Sequence, residues 1–151
     1  MTHLNPLPQI QSAFVTGATG LLGNNLVRLL VSRGVRVKAL GRSRTKAERL
    51  FGDLPIEIVT GDMAKVGEFA AHLQGNDVVF HTAAFFRDGY KGGRHRKEFY
   101  DTNVRGTAEL FAQAYAVGVR RIAHTSSVAV LTGERGQPID GVACCASRAK
   151  R

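Results

Sequence analysis

A chain of 151 residues, with 44% hydrophobic and 22% charged side chains, has the size and composition of one ordinary globular domain with its own core. It contains no apolar run approaching the roughly 18–20 residues of a membrane-crossing helix, and its opening MTHLNPLPQIQS lacks the basic start and apolar segment of a secretory leader. The formal net charge of +9 admits nucleic acid, acidic membrane or an anionic ligand as partners, but no basic stripe interleaved with aromatics and no nucleic-acid recognition motif accompanies it.

In chain order, QSAFVTG (11–17) is a short run of small, apolar and β-branched residues that ends in glycine and reads as a buried strand. GLLGNNLVRLLVSRG (20–34) places Leu22, Leu26, Leu29 and Leu30 at helical spacing, and Gly34 supplies the stop. VRVKALG (35–41) reads as a second strand, RTKAERLFG (44–52) as a short helix and IEIVTGD (56–62) as a third strand after Pro55. KVGEFAAHLQG (65–75) predicts a helix and DVVFHTAA (77–84) a fourth strand, in which His81 is expected to pack rather than bind. Residues 85–97 carry glycines and charges without periodicity and read as a long functional loop. KEFYDTNVRGTAELFAQAYAVG (97–118) predicts a long helix whose apolar face continues through Leu110, Ala114 and Val117, and VRRIAHTSS (119–127) a fifth strand. Strands alternating with helices at this pace specify an α/β fold: a doubly wound parallel sheet with helices on both faces, expected in the strand order 3-2-1-4-5. The two cysteines, Cys144 and Cys145, are neighbours, which suits neither a zinc knuckle nor a disulfide framework. No metal site is therefore expected, and the setting expected is cytoplasmic and reducing.

The glycines of FVTGATGLLG (14–23) fall between the first strand and the first helix. Gly17 permits a sharp turn, Gly20 lets a pyrophosphate approach the backbone, and Gly23 lets the helix pack tightly on the strand. The free N–H groups and positive dipole end of the helix suit an anion. In this context the motif reads as the phosphate-binding turn of a Rossmann-type fold; a tight turn without a ligand is the alternative. Asp62, at the C-terminal edge of the third strand, suits acceptance from an adenine amino group and equally an N-cap for the next helix. Thr82, Ala83 and Ala84 end the fourth strand, where small side chains let ribose and phosphate lie against the backbone. Asn103 is an amide inside a helix, a poor place for it by propensity.

TGATGLLG (16–23), GDM (61–63), HTAA (81–84), NVRGT (103–107) and HTSS (124–127) occur in that order. Over roughly residues 11–133 the chain thereby resembles the short-chain dehydrogenase/reductase superfamily, most of all its extended branch of epimerase/dehydratases and dihydroflavonol-type reductases. The resemblance implies an NAD(P)-dependent oxidoreductase or epimerase. It assigns cofactor contact to Gly17, Thr19, Gly20, Leu21, Leu22 and Gly23, to Asp62 and Met63, and to Thr82, Ala83 and Ala84. It gives Asn103 a part in shaping the cofactor and catalytic region, and Ser127 the place of the catalytic serine.

Enzymes that use NAD usually end the second strand in a carboxylate that takes the ribose 2′-hydroxyl. Gly41 stands there in this chain, and Arg42 and Arg44 follow it. Two guanidiniums with no carboxylate suit a 2′-phosphate, so NADP is expected ahead of NAD. The remaining lysines and arginines read as solvated surface.

In the family the serine works with a Tyr-x-x-x-Lys pair that follows the fifth strand; the tyrosine moves the proton and the lysine lowers its pKa. Tyr90, Tyr100 and Tyr115 all precede the fifth strand, and none has lysine four residues on. From Gly141 the sequence GVACCASRAKR no longer resembles the family. The expectation is a dinucleotide-binding domain over residues 1–140 and a disordered, non-family tail over 141–151, such as a frameshift or premature stop would leave. Such a chain would be catalytically incomplete, without the later strands and the substrate region. A non-catalytic module that senses NADP(H) is the alternative. Besides the dinucleotide, the expected partners are an unassigned substrate and, through uncovered apolar helix surface, further copies of the chain in a homo-oligomer; nucleic acid and membrane are not expected.

Overall fold

The computed structural model describes residues 9–86 and 95–127. The strands are β1 (Ser12–Thr16), β2 (Arg36–Gly41), β3 (Glu57–Thr60), β4 (Val78–His81) and β5 (Ile122–His124). They form one sheet in the order β3-β2-β1-β4-β5, and every neighbouring pair is parallel. This is the doubly wound Rossmann arrangement read from the sequence. Strand order runs outward from β1 in both directions, so the connections diverge there and leave a crevice at the C-terminal edge. β1 is the middle strand, with Val15 in register with Ala39 on one side and Phe80 on the other. All of its residues are buried, which is why it is a continuous apolar run rather than an alternating one.

Two cores flank the sheet. Ala13 and Val15 of β1 and Val37 and Ala39 of β2 point into the first, which is closed by α1 (Leu21–Ser32) and α2 (Arg44–Phe51) through Val27, Leu30, Ala47 and Phe51. Phe14, Leu40, Val59 and Val79 point into the second, which is closed by α4 (Thr107–Ala116) through Leu110 and Ala114 and by the segment 63–73. At the opposite end from the crevice, the Asp77 carboxylate accepts the N–H groups of Gln11 (2.8 Å) and Ser12 (2.9 Å). Those two bonds hold the entry of β1 against that of β4 and keep the carboxyl below its ordinary pKa. No helix among the described residues is long and apolar enough to cross a membrane.

The elements differ from the sequence reading in several places, among them β5, which is Ile122–His124 rather than the whole of 119–127. Leu22 and Leu29 lie outside the core of α1, at 53% and 50% exposure. The buried face is Gly23, Val27 and Leu30, because the close seat of Gly23 on the preceding turn sets the rotation of the helix. Residues 65–75 do not form an α-helix. Met63–Glu68 and Ala70–Leu73 are 3-10 turns, and Met63, Val66 and Phe69, all buried, recur at the three-residue period that such a turn places on one face. The long helix starts at α3 (Arg96–Tyr100) and passes through a π-helical stretch, Asp101–Gly106, before α4. Finally, β4 ends at His81, so residues 82–84 lead out of the strand rather than completing it. The loop expected at 85–97 falls largely outside the described residues, as does the tail expected from Gly141.

The revised face of α1 has a direct test. Leu30→Ala, which empties a buried position, is expected to cost about 2–5 kcal/mol of unfolding free energy. Its neighbour Leu29→Ala is expected to cost less than about 1 kcal/mol. Urea denaturation of both variants measures the difference; equal losses would restore the leucine face.

Candidate functional site

The site begins where β1 ends. Gly17 turns the chain with φ +66°, a conformation open to glycine at little cost. A Cβ there would stand 2.7 Å from the Ala83 nitrogen and 2.8 Å from its Cα, so the backbone leaving β4 lies directly against the turn. The Gly20 N–H closes the turn on the Gly17 carbonyl oxygen (2.9 Å). A Cβ on Gly23 would strike that same carbonyl oxygen and come within 2.8 Å of the Ala18 Cα. The first turn of α1 therefore sits flush on the glycine turn. Gly20 caps α1 without a side-chain bond, which leaves the first backbone N–H groups of the helix, those of Leu21, Leu22 and Gly23, without intrahelical acceptors.

A cleft of about 440 Å³ lies over the C-terminal edge of the sheet. Of the residues singled out by sequence, Gly17, Thr19, Gly20, Arg42, Asp62, Met63, Thr82, Ala83 and Ala84 line it. Leu21, Leu22, Gly23, Arg44, Asn103 and Ser127 do not. The side chains of Leu21 and Leu22 are exposed and Gly23 is buried, so these three offer the site only backbone. Ser127 is exposed, just beyond the end of β5.

The cationic part of the site differs from the sequence reading. Arg42 lines the cleft, but Arg44 bonds Glu48 through its Nε (2.9 Å) one helical turn along α2. Lys46 takes its place in the lining. The signal was Ser43, whose hydroxyl accepts the Lys46 N–H (3.2 Å) as an N-cap and so puts Lys46 in the first turn of α2. Phe85 and Phe86, at the exit of β4 where no periodic pattern is readable, also line the cleft, as does Thr102 of the π-helical stretch.

Two ambiguous polar residues have structural partners. The Asp62 carboxylate accepts the Ala64 N–H (2.8 Å), so it does cap the following turn, and it faces the cleft as well. Asn103 accepts the Phe85 N–H (2.7 Å) and donates to the Phe85 carbonyl oxygen (2.8 Å). That two-way clamp fixes the segment leaving β4 and explains an amide in a helix: it bonds the backbone of a neighbouring segment.

Thr16 organises the floor. Its carbonyl oxygen accepts the Thr82 hydroxyl (2.7 Å) and its hydroxyl accepts the Ala83 N–H (3.2 Å). The same hydroxyl lies 2.7 Å from His81 Nδ1, and His81 Nε2 lies 2.9 Å from the Thr107 hydroxyl. His81 stacks on His124 with ring centroids 5.0 Å apart. Burial, and secondarily the neighbouring His124, push the His81 pKa down to about 4.

The components suit a dinucleotide. Backbone approaches the cleft where side chains are absent, a helix N-terminus offers unpaired donors, and Arg42 and Lys46 stand where the second strand ends without a carboxylate.

Neutral, buried His81 stabilises the fold less as acid is added. Its folded pKa lies below the ordinary 6.5, so its contribution is complete above pH 6.5 and is lost as pH falls toward about 4. Between pH 7.5 and 4.5 this group alone is expected to remove about 2–3 kcal/mol of unfolding free energy. Urea denaturation across that range, compared with His81→Gln, isolates the effect; parallel profiles would show that His81 does not titrate against burial.

The family described as the NAD dependent epimerase/dehydratase family matches residues 13–144. Sterol demethylase protein B of Methylococcus capsulatus is 43% identical over 118 residues, 77% of this chain and 34% of that protein. Yeast methylglyoxal/isovaleraldehyde reductase, solved complexed with NADPH, superposes with a TM-score of 0.71 at 27% identity, covering 80% of this chain and 38% of that one. A short-chain dehydrogenase/reductase superfamily protein from Agrobacterium tumefaciens, solved with bound NAD, gives a TM-score of 0.66 at 28% identity over 79% of this chain and 33% of that one. The chain spans about a third of the length of the curated relatives it matches. With a Rossmann sheet, a glycine turn seated against the exit of β4 and this match, the chain belongs to the NAD dependent epimerase/dehydratase family.

Proposed function

We propose that residues 11–127 form the NADP(H)-binding part of an oxidoreductase or epimerase of this family. The observation that carries the reading is the glycine cradle at the end of β1, faced across the cleft by Arg42 and Lys46. Cofactor chemistry supplies a hydride when the dinucleotide is bound. The chain's own groups bind and orient. The N–H groups of Leu21, Leu22 and Gly23 meet the phosphates, with Thr19 and Gly20 beside them. Asp62 and Met63 take the adenine end, and Thr82, Ala83 and Ala84 present backbone to the ribose. Arg42 and Lys46 grip the 2′-phosphate; the charge of Arg44 is offset by its pairing with Glu48, and it makes no contact. Relatives solved with NADPH and with NAD support a nicotinamide dinucleotide, and the absence of a carboxylate at Gly41 favours NADP.

Ser127 is proposed to hydrogen-bond the substrate oxygen. The proton that a forming alkoxide needs has no donor of the family's kind in this sequence, since no tyrosine is followed by lysine at the fourth residue. A positioned general acid is worth about 10²–10⁴ in rate. The same gap favours a second reading, a module that binds NADP(H) without turnover.

Two measurements test this. In calorimetric titrations NADPH is expected to bind more tightly than NADH. Arg42→Ala and Lys46→Ala should each lose about tenfold or more for NADPH, because a charge-assisted contact is worth about 1.5–3 kcal/mol, and little for NADH. Equal losses for both cofactors would count against the 2′-phosphate assignment. In NADPH-oxidation assays with aldehydes, ketones and nucleotide sugars, the 151-residue chain is expected to stay at background. Turnover that disappears in Ser127→Ala would overturn the incompleteness and identify Ser127 as catalytic.

A further inference from the structure

Three residues of the sequence motifs have no part in cofactor contact as proposed: Thr16 before the glycine turn, His81 at the head of HTAA and Thr107 at the end of NVRGT. They come from β1, β4 and α4, yet they form one line of hydrogen bonds, Thr16 to His81 Nδ1 at 2.7 Å and His81 Nε2 to Thr107 at 2.9 Å. The line ends on the cleft wall, where the Ala83 N–H meets the Thr16 hydroxyl. Thr16 is fully buried and His81 only 1% exposed, so solvent does not satisfy either.

The directions of the bonds follow from the donor inventory. Thr16 Oγ1 already accepts from Ala83, which is a donor only. Its single hydrogen therefore goes to His81 Nδ1, which must be unprotonated to receive it. The ring's proton then sits on Nε2 and is donated to Thr107. A proton on Nδ1 would make the Thr16 hydroxyl an acceptor twice over and strand its own hydrogen in the core, where an unpaired donor costs about 1–3 kcal/mol. A doubly protonated ring would do the same.

We infer that His81 is a positioning residue for the cofactor cleft: held as the neutral Nε2–H tautomer by Thr107, it orients the Thr16 hydroxyl that holds the Ala83 wall against the glycine turn. This rests on the reading of the cleft as a dinucleotide site. The titratable group facing the ring is His124 on β5; α4 faces it with Phe111 and Thr107 and β1 with Thr16, none of them charged. His124 sits at ring-stacking distance on the solvent side and, when protonated, further disfavours a charge on His81. The arrangement makes a residue outside the cleft, Thr107, a determinant of the cleft's shape. Asn103, one turn earlier on the same helix, clamps Phe85 in parallel.

The test uses the full chain and begins with ring-nitrogen NMR of ¹⁵N-histidine-labelled protein at pH 7. His81 is expected to show the Nε2–H pattern; an Nδ1–H or imidazolium pattern overturns the inference. Thr107→Val removes the partner of Nε2 without changing the volume or touching the cleft. It is expected to admit the Nδ1–H form, to speed amide exchange at Ala83 about tenfold, and to weaken NADPH binding about three- to tenfold. Thr107→Ser should restore all three. Wild-type tautomer, exchange and affinity in Thr107→Val would overturn the inference, as would failure of Thr107→Ser to restore a Thr107→Val defect. The tautomer and the Ala83 exchange read the tie without any ligand. If wild-type protein binds no NADPH, the dinucleotide reading fails, while these two readouts still decide whether the tie exists.

Discussion

The whole site depends on how closely the backbone leaving β1 approaches the backbone leaving β4. These strands are neighbours in register, and their connections leave on opposite sides of the sheet, so a crevice opens where they end. The crevice is useful only if its floor is bare backbone. Gly17 meets that condition by carrying no Cβ where one would stand 2.7 Å from the Ala83 nitrogen. Thr16 completes the joint by accepting from both Thr82 and Ala83 through its carbonyl and hydroxyl oxygens. Gly23 then brings α1 down onto the same turn, so that a helix N-terminus, with its unpaired donors and positive dipole end, opens beside the floor.

A site made of backbone donors tolerates almost any side chain that does not intrude. That is why Leu21 and Leu22 can stand exposed at the start of α1 and still belong to the motif. Selectivity has to come from the few side chains that do face the cleft. At its second-strand end these are Arg42 and Lys46, beside Gly41 rather than a carboxylate; the carboxylate that lines the cleft, Asp62, follows the neighbouring β3. Both cations are exposed, so their attraction for a phosphate is screened by salt and rests on short-range, hydrogen-bonded geometry more than on the chain's net charge of +9.

Strand order, the central position of β1 and the glycine turn were legible because each depends on local pattern: a continuous apolar run, a glycine spacing, an alternation of elements. The phase of α1 was not, because leucine spacing points to Leu22 and Leu29 while the seat of Gly23 against Gly17 decides the rotation. The 3-10 character of 63–73 was present in the three-residue spacing of Met63, Val66 and Phe69, but Ala70 and Leu73 extend that pattern toward a helical one. The π-helical stretch at 101–106 carries two polar or small residues that only tertiary contacts explain: Asn103 clamps Phe85, and a Cβ on buried Gly106 would strike the Met63 carbonyl oxygen. That Lys46 lines the cleft and Arg44 does not has a local reason. A glutamate one helical turn ahead occupies Arg44, and that pairing was readable in the sequence RTKAE.

The central claim is that the C-terminal edge around the glycine turn binds a nicotinamide dinucleotide. The most direct measurement is backbone amide NMR of the full chain during NADPH titration. The account predicts saturable shifts confined to four stretches: residues 17–23, the segment from Arg42 to Lys46, Asp62 with Met63, and residues 82–86. Shifts that map elsewhere, or none at millimolar NADPH with the protein folded, would contradict it.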